Sequence, residues 1–152
     1  MRASQLRLGR ALLTQGDLDG ASVAFHDALG IVKALALKDP SNLDWPRDLA
    51  EIYEGIGNLL KAQGHVHEAL TAYRDSLAIR RTLSAKGPEN ALWQTDLAGT
   101  LQKAASAGDD AEANLAEAIA ILRRLETAGT LWPEKRALTA DVEAALAMAK
   151  PQ

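Results

Sequence analysis

Apolar residues recur along this chain at spacings of three and four, the period of a helix and not of a strand. The clearest stretch is YEGIGNLLKAQGHVHEALTAYRDSLAIRRTL, from Tyr53 to Leu83. It divides into two amphipathic runs joined at Gln63-Gly64-His65. Tyr53, Ile56, Leu60, Leu70, Tyr73 and Leu77 fill the large apolar positions, and Gly57, Ala69 and Ser76 stand where two helices must touch closely. A run of the same period holds Ala21, Ala24, Phe25, Ala28, Leu29, Val32 and Leu35. Helices are expected over about 2–15, 18–38, 45–63, 66–86, 92–106, 110–128 and 133–149. Gly16-Asp17, Asp39-Pro40, Gly64, Gly87-Pro88 and Gly129-Thr130 punctuate them, because glycine accepts a left-handed helix end and proline bars helix in the residue before it. The expected inner face of the first helix is Leu8, Ala11 and Leu12, with Gly9 admitting a neighbour. The last helix has Leu138, Val142, Ala145 and Met148 on one face and charges mostly elsewhere, as a terminal cap would.

The helices repeat. An offset of 48 links Gly9 to Gly57, Gly16 to Gly64, Ala21 to Ala69, Phe25 to Tyr73, Leu29 to Leu77, Pro40 to Pro88, Trp45 to Trp93 and Asp48-Leu49 to Asp96-Leu97. A looser third copy matches Leu115–Leu125 to Tyr73–Leu83 at an offset of 42, so it has lost residues, most simply from its first helix and turn.

Charge and composition narrow the function. The net charge is −3 with both signs interspersed, which gives no basic patch for nucleic acid. Cysteine is absent, which removes disulfides and thiolate chemistry and fits a reducing compartment. No stretch approaches the roughly 20 uninterrupted apolar residues of a membrane span. Arg2, Arg7 and Arg10 interrupt what would be the apolar core of a signal peptide. A cytoplasmic protein without membrane contact is expected.

Candidate chemistry is sparse. His65-Val66-His67-Glu68 is the one His/carboxylate cluster, and alternating side chains at a turn do not converge on a metal, so it reads as a solvated turn. No phosphate loop, GxSxG or HExxH occurs. No catalytic residue, metal or cofactor is expected. Trp45, Trp93 and Trp132 recur before helices and read as packing anchors between adjacent repeats. Arg80-Arg81 and Arg123-Arg124 read as solvated charges complementing helix dipoles.

Gly57, Gly64, Ala69, Tyr73 and Ser76, preceded by Tyr53, Ile56 and Leu60, resemble the tetratricopeptide repeat. Leu60 stands where that family often has tyrosine, and Gln5 stands at the aromatic position of the first copy. The usual unit is about 34 residues. Here the second helix continues through Arg80 to Lys86, so the likeness is to the long-repeat branch, similar to kinesin light chain and bacterial signalling proteins. The resemblance implies an all-α chain: an α-α superhelix, a right-handed solenoid of antiparallel helix pairs forming one domain over 1–152. The repeats would span about 2–44, 45–91 and 92–131, with the capping helix over 133–149. It also implies a non-catalytic scaffold that holds a peptide or protein segment in a concave groove lined by the first helix of each repeat. Carried over position by position, that groove presents Leu6, Arg10, Leu13, Glu51, Glu54, Asn58, Lys61 and Gln102. The lysine- and asparagine-rich carboxylate clamp of chaperone-binding members is not reproduced, because Leu6 and Arg10 take two of its places. The alternative is a homo-oligomerisation module of a larger bacterial signalling protein, associating through an apolar N-terminal edge.

Overall fold

A computed structural model describes residues 2–149. The order is α1 (Arg2–Gln15), α2 (Leu18–Lys38), α3 (Asp44–Ala62), α4 (Val66–Lys86), α5 (Ala91–Ser106), α6 (Ala111–Thr127), a 3-10 turn (Pro133–Lys135) and α7 (Arg136–Ala149). The fold is all-α, three antiparallel helix pairs and a C-terminal capping helix, with no strand among the described residues. The chain falls into two compact units that divide within α4, between Ile79 and Arg80.

Each intra-pair turn is closed by the same device. Gly16, Gly64 and Gly108 have φ of 81°, 83° and 95°. The next amide reaches back five residues: Asp17 to the Leu12 carbonyl at 2.9 Å, His65 to Leu60 at 2.8 Å, Asp109 to Ala104 at 3.1 Å. That bond satisfies a carbonyl the helix end would otherwise orphan. Gly64 and Gly108 lie 44 apart, against 48 for Gly16 and Gly64. The third copy has therefore lost about one turn of its first helix, which preserves the buried face. A further two residues are lost before Leu115. From there the offset of 42 holds in the burial itself. Tyr73, Ser76, Leu77 and Leu83 are buried in α4, and Leu115, Ala118, Ile119 and Leu125 in α6.

In the first unit α1, α2 and α3 converge on Phe25, which has no exposed surface. A Cβ on Gly9 would lie 2.9 Å from its ring, and one on Gly55 2.6 Å. This contact sets the rotation of α1 and corrects its expected face. Leu6 and Gly9 are buried with Leu12 and Leu13 partly so, while Leu8 is 47% exposed and Ala11 is exposed. Between α3 and α4, Gly57 receives the Tyr73 ring, 2.6 Å from where its Cβ would be, and the Ser76 hydroxyl donates to the Ala50 carbonyl at 2.8 Å. By length and composition alone α2 could cross a membrane, contrary to expectation. Its Ala21, Ala24, Phe25, Ala28 and Val32 are nonetheless buried on one stripe, as in the core helix of a folded domain.

In the second unit the paired arginines do more than solvate helix ends. Arg80 is 6% exposed and meets Asp96 of α5 at 3.1 Å. Arg81 of α4 pairs with Glu117 of α6 at 2.7 Å, and Arg123 of α6 pairs with Glu143 of α7 at 2.7 Å. The Glu117 hydrogen bond raises the Arg81 pKa further above its ordinary value. Arg124 donates to Gln94 at 2.9 Å. The capping helix buries Thr139 and Val142 in its early turns, and the Thr139 hydroxyl donates to Glu126 at 2.8 Å. Met148, in its last turn, is 88% exposed instead of facing inward. Trp132 is also exposed, so of the three tryptophans only Trp45 and Trp93 are packed, Trp45 against the first core and Trp93 on Gly87.

Candidate functional site

Side by side, α1 and α3 bring together residues that are 41 apart in sequence. The Arg10 guanidinium meets the Glu51 carboxylate at 2.6 Å. Around this pair lies a cavity of about 380 Å³, lined by Leu6, Arg7, Arg10, Val32, Arg47, Asp48, Glu51 and Ile52. Its floor is apolar, since Leu6, Val32 and Ile52 are 8%, 1% and 1% exposed. Its rim carries three guanidinium groups and two carboxylates. Such a site offers one apolar contact and several charged ones to a visiting chain.

Three of the residues read from sequence, Leu6, Arg10 and Glu51, thus share one cavity. Leu13 packs half-buried on the same core. Glu54 is buried, and Asn58, half-buried one turn on, accepts a 2.7 Å hydrogen bond from the Tyr73 hydroxyl. Lys61 is exposed near the end of α3. Gln102 belongs to the second unit, where with Ala105, Leu115, Ala145 and Met148 it lines another cavity of about 510 Å³. Sequence reasoning missed Arg7, Arg47 and Asp48. Their signal was helical spacing: Arg7 lies three residues before Arg10, and Arg47 four before Glu51, so each pair shares a face.

Burial, and after it the Glu54 carboxylate, pushes the Tyr73 phenol from 10.0 up to about 12. The unfolded chain loses this proton near pH 10, as an unperturbed tyrosine does, and the folded chain only near 12. Between those values the unfolded state binds fewer protons, so stability falls as pH rises. The contribution is complete below about pH 10, and about 2–3 kcal/mol is lost by about pH 12. Urea unfolding across this range should show that slope, and Tyr73→Phe should remove it while lysine titration keeps its own share.

His65 and His67 are exposed, and among the described residues no group of three His, Asp or Glu could hold a metal ion. Residues 49–88 match the tetratricopeptide repeat family. The matched stretch runs from within α3 to just past α4, and contains the Gly57–Tyr73 contact and the Gly64 turn. No curated protein and no solved structure matches the chain.

Proposed function

We propose that this chain is a non-catalytic scaffold of the long tetratricopeptide-repeat type that holds a peptide or protein segment against its α1–α3 face. The observation that carries this reading is the convergence of Leu6, Arg10 and Glu51, from two first helices, on one cavity with an apolar floor and a charged rim. The walls belong to packed helices, so binding loses little to reorganisation. The extension of α4 to Lys86 supports the long-repeat branch. The composition, without cysteine and with net charge −3, fits a cytoplasmic protein with protein partners and no nucleic acid. End-on self-association has less support. At the 48-residue offset, Ser4 and Arg7 stand where the second copy has the buried Ile52 and Gly55.

The Arg10–Glu51 pair is partly exposed, at 49% and 22%, and such pairs add about 0–1 kcal/mol. Arg10→Glu combined with Glu51→Arg therefore keeps the pair and leaves the melting temperature within about 3 °C of wild type, while it inverts the charges shown to a partner. A protein partner held by the immobilised wild type should be lost by the swapped variant. Equal retention would move binding to another face, and recovery of the chain itself alone would mean self-assembly.

A further inference from the structure

The first two copies differ in a specific way where α2 or α4 hands over to the next helix. In the second copy this handover is drawn shut. Trp93 lies against Gly87, 2.7 Å from where a Cβ would be. The Ser84 hydroxyl donates to the Trp93 carbonyl at 3.3 Å, Gln94 donates to the Ser84 carbonyl at 3.2 Å, and Arg80 pairs with Asp96. At the 48-residue offset the first copy has Asp39 for Gly87, Ala36 for Ser84, Pro46 for Gln94 and Val32 for Arg80. None of these replacements can make the closing contact. Asp39 brings a Cβ, Ala36 has no hydroxyl, Pro46 has no amide side chain and Val32 no charge. The corresponding space is a cavity of about 460 Å³, walled by Val32, Ala36, Leu37, Trp45, Pro46 and Leu49.

One cation lines this cavity, Lys33. Its counterparts at the repeat offsets are Arg81 and Arg123, each held by a glutamate at 2.7 Å. Lys33 makes no ion pair among the described residues, and Asp75, the counterpart of Glu117, makes none either. The volume is that of a site for a small molecule. Pro40 and Pro46 on its wall offer no backbone N–H, so an extended peptide would find few partners there.

We propose that this cavity binds a small amphiphilic carboxylate, an acyl or aryl acid whose apolar body lies on Ala36, Trp45 and Leu49 and whose carboxylate pairs with Lys33. The site shares only Val32 with the charged α1–α3 cavity, uses neither Arg10 nor Glu51, and does not depend on that cavity's role.

Decanoate is the probe and decanol its uncharged control, each titrated below the concentration at which it aggregates. The readout is the indole N–H resonance of Trp45, assigned with Trp45→Phe. Decanoate should shift that resonance saturably. Lys33→Met should weaken decanoate about tenfold, the scale of one charge-assisted contact, and leave decanol unchanged. Ala36→Phe, which fills the space, should abolish both. Should that variant misfold, Asp39→Gly replaces it, since it lets Trp45 settle as Trp93 does. No saturable shift, a decanoate affinity indifferent to Lys33→Met, or shifts confined to Trp93 and Trp132 would overturn the proposal.

Discussion

Phe25→Ala should cost about 3–5 kcal/mol, the range for truncating a buried aromatic side chain. The upper part of that range is expected because the ring is enclosed by backbone. Gly9 and Gly55 face it from α1 and α3, and neither has a side chain that could relax into the void. Urea unfolding of wild type and variant would show a lowered midpoint at an unchanged slope. The same geometry predicts a coupling. Gly55→Ala should be costly in the wild type, where its Cβ would lie 2.6 Å from the ring. It should be milder on a Phe25→Leu background, where the ring is gone. Additive effects of the two substitutions would mean that the ring does not fix the α2–α3 approach.

Asp96→Ala should cost about as much, roughly 3–5 kcal/mol, through charge and not volume. Arg80 is 6% exposed, and its ion pair with Asp96 joins α4 to α5. Removing the carboxylate takes a counter-charge away from a desolvated guanidinium. Arg80→Met in the same chain should recover most of the loss, since an apolar side chain of similar length needs no counter-charge. Thermal unfolding of the two single variants and the double variant measures this. A double variant no more stable than Asp96→Ala would place the cost elsewhere.

The helices and their order were legible because two signals agreed. Apolar residues returned with the helix period, and glycine or proline stood at the joints. The offset of 48 marked the first two copies, and the shortened third copy followed from the offset of 42. The rotation of α1 was not legible. Leu6, Leu8, Leu12 and Leu13 offer two apolar stripes, and only the seating of Phe25 on Gly9 selects the one through Leu6. The arginine pairs were misread for a related reason. A basic residue near a helix end looks the same solvated or paired, and Glu117 and Glu143 lie 36 and 20 residues beyond their arginines. In the candidate site, Leu6, Arg10 and Glu51 do meet, but Glu54 turns to the Tyr73 side and is buried. Spacing from a glycine places a residue on a helix face, and the neighbouring helix decides whether that face is open.

Photo-crosslinking in the source cell tests the central claim most directly. A benzophenone amino acid would replace Arg10, at the rim of the α1–α3 cavity, or Glu68, exposed in the first turn of α4. The account predicts an adduct with another protein from position 10 and none from position 68. Adducts from position 68 alone, or from neither position, would contradict it.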